Sequence, residues 1–214
     1  TTAVDPVAGV PVDVINEKSK PSCSILDGNK RKVLAQVTNA VLSEVAFNSF
    51  EDNAKGGFTW TDGSVVTGPS KTGTRYYSLN TNGIAKTGLS ATSKYKLSFW
   101  ARSDTNGGVM TISGVTADCR IPRVEPWKFY EFTITGVTTI SIKNINGEVL
   151  LDEVRLHPDN AYMSSYTYHP LYGITSETDA NNQIMYTEYD DLGRPANIKD
   201  EDGIVKSYNY YIKY

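Results

Sequence analysis

Over most of its length the chain alternates apolar and polar residues in short runs, with turn formers between them. In Tyr95-Lys96-Leu97-Ser98-Phe99-Trp100-Ala101-Arg102 the period is two, which puts successive side chains on opposite faces of a strand. Tyr95, Leu97, Phe99 and Ala101 are therefore predicted to face a core, and Lys96, Ser98, Trp100 and Arg102 the other side. Tyr130, Phe132 and Ile134 separate from Phe129, Glu131 and Thr133 in the same way. Between residues 41 and 156 the pattern predicts strands at 45–50, 75–79, 95–102, 109–115, 128–135, 139–145 and 149–156. The separators are turn chemistry, and Asn146-Gly147 between two apolar runs is the strongest hairpin signal in the chain. No stretch sustains a helical period. One buried and one solvated face per strand predicts an all-β chain built on an antiparallel sandwich over residues 41–157.

After residue 157 the rhythm changes. Tyr168, Tyr189 and Tyr210 recur every 21 residues, Asp179 and Asp200 keep the same step, and Gly173 and Gly193 keep it to within one. Turns at Asp-x-Leu-Gly and Asp-x-x-Gly separate two β-rich runs, 184–189 and 204–210, which predicts a series of hairpins over residues 158–214. A fixed period of this size signals stacked units that bury their apolar faces only against neighbours. The tail also holds ten of the 14 tyrosines, all but Tyr76, Tyr77, Tyr95 and Tyr130. Such a comb suits either a sugar- or peptide-binding surface or ring packing from hairpin to hairpin; ring spacing that follows the repeat favours packing. Residues 1–40 form an extended lead-in. The junction 157–162 is too short and too poor in Gly and Ser to be a flexible tether, so sandwich and hairpins are expected to pack together.

Composition narrows the function. A net charge of −3 and a pI near 5.4 argue against a nucleic-acid partner. No apolar run approaches the ~20 residues that span a bilayer. The chain starts Thr1-Thr2-Ala3 without a signal-type apolar core and stops soon after a repeat closes, which suggests a mature or excised piece of something longer. The composition is that of a secreted or cell-surface β protein. Cys23 and Cys119 leave one long-range disulfide open. The two histidines, His157 and His169, each precede a proline, and no nucleophile, zinc or phosphate-loop motif is present, so no catalytic residue and no enzyme activity is expected.

Two residues stand out against the pattern. Trp100 lies opposite Leu97 and Phe99, so either another segment covers it or it lines a polar face with Tyr76 and Arg102. By parity Asp152 falls on the core side with Leu150, Val154 and Leu156. A buried carboxylate there is costly unless it accepts loop N–H groups or binds a metal.

Two resemblances add to this reading. Tyr189-Asp190-Asp191-Leu192-Gly193-Arg194, then Asp200-Glu201-Asp202-Gly203, then Tyr208-Asn209-Tyr210 resembles the YD repeat of Rhs-type proteins. The first copy departs from it at His169 and Asn182. Upstream, Phe50-Glu51, Gly73-Thr74-Arg75-Tyr76-Tyr77-Ser78-Leu79, the Tyr95–Arg102 run, Trp127-Lys128-Phe129-Tyr130 and Asp152-Glu153-Val154 together resemble the galactose-binding-like jelly roll of carbohydrate-binding modules. Residues 30–40 are similar to the strand that precedes such a sandwich in large bacterial Rhs-type surface proteins. The resemblance implies a jelly roll followed by YD-repeat hairpins, a non-catalytic structural segment whose partner is the remainder of a longer YD-repeat chain. Its alternative is a carbohydrate-binding module with the repeats as stalk, with a glycan held by Trp100, Tyr76 and Arg102. It also implies a structural calcium ion held by Glu51 and Asp152; no other cofactor is expected.

Overall fold

The computed structural model describes residues 2–4, 11–16 and 19–208. The lead-in supplies β1 (Thr2–Val4), β2 (Pro11–Asn16), β3 (Ser19–Leu26) and β4 (Val33–Thr38). The sandwich comes next, with β5 (Ala46–Asn48), β6 (Val65–Thr67), β7 (Arg75–Ser78), β8 (Ile84–Thr87), β9 (Lys94–Ser103), β10 (Gly108–Ile112), β11 (Cys119–Ile121), β12 (Val124–Thr135), β13 (Thr139–Gly147) and β14 (Leu150–Pro158). The tail adds β15 (Tyr162–His169), β16 (Gly173–Thr178), β17 (Ile184–Tyr189), β18 (Pro195–Lys199) and β19 (Ile204–Ser207). All pairings are antiparallel, and the chain is an all-β jelly-roll sandwich with hairpins after it.

The sandwich packs a sheet ordered β11-β10-β13-β8 against one ordered β12-β9-β14-β7-β6, with β5 also on β14. Tyr95, Leu97, Phe99 and Ala101 are buried in the core between them with Ile112, Ile134, Ile140 and Leu151, as the period-two pattern requires. The strand predicted at 45–50 ends at Asn48 because Phe50 turns to φ 63°, a rare conformation for a bulky residue, with its N–H on Asn48 Oδ1 at 2.6 Å.

The Asn146-Gly147 hairpin does not form. β13 and β14 lie in different sheets, and Gly147 pairs with Gly108 of β10 while Glu148 N–H donates to Gly107 O at 3.1 Å. Any side chain at Gly147, itself at φ 72°, would collide with Gly107. Gly107-Gly108 are the other half of this close approach.

Both ends of the chain join in the third sheet, ordered β1-β2-β3-β4-β15-β16-β17-β18-β19. The sandwich is thus spliced between β4 and β15, which pair directly from Tyr162↔Thr38 to Ser165↔Ala35. A second core, with Ile25, Ala35, Val37, Val45, Phe47 and Met163, lies where this sheet meets β5. β5 serves both cores, with Ala46 in one and Phe47 in the other. Cys23 belongs to the second core and Cys119 to the first, and both are free thiols, so the disulfide left open by the sequence is not made.

The 21-residue period has a mechanical basis. Asp179 Oδ1 accepts the N–H groups of Asn181 and Gln183, and Asp190 Oδ1 those of Leu192 and Arg194. Asp200 Oδ1 does the same for Asp202 and Gly203. The closing residue takes positive φ: Gly193 at 74°, and Asn182, where the repeat has glycine, at 63°. In both complete hairpins the tyrosine sits at a bulge, and the Tyr189 hydroxyl reaches back to Ile174 O at 2.7 Å. Tyr168 donates to Val33 O at 2.7 Å, so β4 stands where a preceding repeat would. The β3–β4 turn is a related one, a residue longer: Asp27 Oδ1 caps Arg31 and Lys32 N–H, with Lys30 at φ 57°. Sequence reasoning missed this turn because lysine occupies the position where glycine or asparagine marks the others. Tyr210, the third tyrosine of the series, lies outside the described residues.

Candidate functional sites along the sandwich–hairpin seam

The closing strand of the sandwich builds the most unusual chemistry in the molecule. Between Asp152↔Trp100 and Arg155↔Ser98, β14 advances three residues while β9 advances two. This is a β-bulge, centred on Glu153 at φ 51°. The extra residue reverses the parity of the rest of the strand. Leu151, Val154 and Leu156 face the core, while Asp152 shares the outer face with Trp100. The expectation that Asp152 points inward with Val154 is thus corrected: alternation fails at the inserted residue.

Asp152 is nonetheless fully buried, under the loop that precedes β7. Its Oδ2 accepts the N–H groups of Lys71 and Thr72, both at 2.9 Å, and its Oδ1 that of Glu153 at 2.7 Å. Glu153, 1% exposed, accepts Thr72 Oγ1 at 2.9 Å, Ser165 Oγ at 3.0 Å and Thr178 Oγ1 at 3.3 Å. Arg155 donates to Asp179 O at 3.0 Å, to Asn182 Oδ1 at 2.6 Å and to Met163 O. Burial, then the neighbouring Glu153 charge, pushes the Asp152 carboxyl well above its usual range. Burial raises Glu153 too, and the Arg155 charge opposes it. The facing strands answer this polarity: Ser165, Thr167, Ser176 and Thr178 are all buried, with Thr167 Oγ1 and Ser176 Oγ 2.6 Å apart. A sandwich carboxylate is thus met by hairpin hydroxyls, and the two Nη groups of the Arg155 guanidinium by hairpin oxygens, while its Nε is buried without a partner.

Glu51 lies along the same loop. Its Oε1 accepts Thr74 N–H at 2.9 Å and Arg75 N–H at 2.8 Å, and its Oε2 faces Thr74 Oγ1 at 3.2 Å. The lone pairs of Glu51 and Asp152 are directed at amides, so this donor set does not fit a calcium ion unless those amides turn away. Among the described residues no group of three or more His, Cys, Asp or Glu is arranged to hold a metal.

The aromatic candidates form two clusters on the outer face. Trp100 lies against Phe129, ring centroids 5.5 Å apart, and under the Lys71 ammonium 3.6 Å from its centroid. Lys71 in turn pairs with Glu201 of the last hairpin. Tyr76 and Trp127 pack edge to face at 6.0 Å, with the Arg102 guanidinium 5.6 and 4.9 Å from their ring centres. Arg102 also pairs with Asp104 at 3.0 Å. The sequence left Trp100 either covered by another segment or lining a polar face with Tyr76; a loop lysine lies over it, fastened to the tail. His157 and His169 stay peripheral, with His157 Nδ1 2.8 Å from Pro158 O and His169 stacked on Tyr172.

No family model matches the chain, and no curated protein does. Among solved structures it is similar to a CBM22–GH10 module pair of a Clostridium thermocellum endo-1,4-β-D-xylanase 10B, complexed with xylohexaose. That match has 13% identity and a TM-score of 0.35, and covers 56% of this chain and 27% of that one. It is also similar to the C-terminal CBM6 of a marine laminarinase from Zobellia galactanivorans, with 15% identity and a TM-score of 0.36, covering 53% of this chain and 98% of that one. The chain thus spans about a quarter of the xylanase structure. These likenesses are of fold alone. No helix among the described residues is long and apolar enough to cross a membrane.

Proposed function

We propose that this chain is a non-catalytic structural and interaction segment of a larger secreted or cell-surface hairpin-repeat protein of the Rhs, or YD-repeat, type. In this reading the jelly roll is a rigid insert in a wall of hairpins. The observation that carries it is the third sheet: both chain ends build it, and the sandwich is bolted onto it through Glu153 and Arg155. A binding module on a stalk needs no buried charged seam to its stalk; a wall component does. The repeat chemistry supports continuation of the array, since each tyrosine grips the hairpin before it. Limited proteolysis tests the reading. Cleavage within residues 157–165 is expected to be slow and to release no stable fragment; rapid release of an intact sandwich contradicts it.

A second reading, glycan binding on the outer face, is favoured by one observation. Trp100 with Phe129, and Tyr76 with Trp127 beside Arg102, form two aromatic clusters on that face, and Phe129 is 37% exposed. Under the structural reading, Trp100→Ala costs about 2–3 kcal/mol, less than a fully buried tryptophan, and changes no ligand binding. Glycan-array binding that disappears in Trp100→Ala at an unchanged melting temperature establishes the second reading instead.

A further inference from the structure

Between the 70–74 loop of the sandwich and the hairpins lies a cleft of about 490 Å³. Glu51, Ser70 and Thr74 line it from the sandwich, and Tyr168, Tyr186 and Thr187 from β15 and β17. Its charged groups are already partnered: Lys199 pairs with Glu188, Lys71 with Glu201, and the Glu51 carboxylate accepts two backbone N–H groups. Hydroxyl capacity, in contrast, is unspent. Ser70 Oγ is buried without a hydrogen-bond partner, and Tyr186 spends its proton on Lys71 O at 3.1 Å, leaving its oxygen free to accept. Tyrosine rings set beside fixed hydroxyls and a carboxylate match a ring with apolar faces and a polar rim. The loop wall is preformed, because Asp152 holds Lys71 and Thr72 and Glu51 holds Thr74 and Arg75.

We propose that this cleft binds a short neutral saccharide of one or two pyranose rings. The volume lies within the usual range for small-ligand pockets, roughly 300–1,000 Å³. Neither the sandwich nor the hairpins make the site alone, and it is independent of the outer-face aromatics. The probe is a panel of neutral mono- and disaccharides of glucose, xylose, mannose and galactose, titrated calorimetrically into the full chain and into a Ser70→Ala/Thr187→Val double variant. At least one sugar is expected to bind with millimolar to micromolar Kd. Binding should weaken about tenfold or more in the double variant, through lost hydrogen bonds, at an unchanged melting temperature, and raised salt should leave it intact. The proposal is overturned if no sugar in the panel binds, if the double variant binds equally well, or if added salt abolishes binding. Should binding instead vanish in Trp100→Ala and persist in the double variant, the sugar sits on the outer face and the cleft assignment fails. If Ser70→Ala/Thr187→Val lowers the melting temperature, Tyr186→Phe with its hydroxyl removed supplies the same comparison.

Discussion

At the scale of single residues, Asp152, Glu153 and Arg155 concentrate the electrostatic cost of the fold in four consecutive positions of one strand. A carboxyl whose folded pKa is raised binds more protons folded than unfolded, so stability falls as pH rises. The contribution of Asp152 is complete below the ordinary carboxylate value of about 4 and is lost as pH climbs towards its raised folded value. Glu153 shifts in the same direction. Partly exposed Glu188 and Asp190 shift the opposite way, held down by Lys199 and Arg194, but they are common to wild type and variant and cancel in a comparison. Melting temperatures between pH 5 and 8 should therefore fall more steeply with pH in the wild type than in Asp152→Asn; parallel slopes would refute the assignment. Arg155→Ala leaves Glu153 without its neighbouring cation and strands Asp179 O and Met163 O, and is expected to cost about 3–5 kcal/mol in chemical denaturation. Because the Asp152 and Glu51 carboxylates already accept amides, chelation by EDTA should leave the melting curve unmoved; a calcium-restored shift lost in Asp152→Ala would overturn this.

At the scale of elements, the repeat turns depend on one residue with positive φ and one capping aspartate. Gly193→Ala forces a side chain into the left-handed region and to 2.7 Å from the Tyr172 ring, and should cost about 1–3 kcal/mol. Gly136→Ala, with a similar φ and nothing nearby, isolates the backbone part of that cost and should be milder. The strands of the sandwich were legible because period-two alternation is a direct consequence of burying one face, and Tyr95 to Ala101 of β9 and Tyr130 to Ile134 of β12 follow it on their core side. The alternation stopped being informative where geometry inserted a residue. Nothing in Asp152-Glu153-Val154 marks the bulge that moves Asp152 to the outer face, because its cause is a tertiary demand: Glu153 reaches Ser165 and Thr178 in another sheet. Asn146-Gly147 misled for a related reason. Its glycine serves a close backbone approach to Gly107, which has the same local signature as a tight turn. The short strands β6, β8 and β11 carry too few residues to show a period at all. Of the candidate site residues, sequence located Trp100, Tyr76 and Arg102 on one face, but not the lysine from a distant loop that lies over Trp100.

At the scale of the whole molecule, the central claim is that sandwich and hairpin sheet form one unit. Their shared elements are β5, which serves both cores, the β4–β15 pairing that closes the sheet across the inserted sandwich, and the buried Glu153–Arg155 seam. A seam of buried charges is worth little as hydrophobic burial, but removing its hairpin partners leaves a buried charge unpaired in the sandwich, and removing the charge leaves hairpin hydroxyls or carbonyls unpaired, which couples the two parts. The most direct measurement is scanning calorimetry of the chain beside its Glu153→Ala variant. One transition with equal calorimetric and van't Hoff enthalpies is predicted for the wild type, displaced as a whole to lower temperature in the variant. Two resolved transitions, with only the hairpin transition moving in Glu153→Ala while the sandwich melts unchanged, would contradict the account.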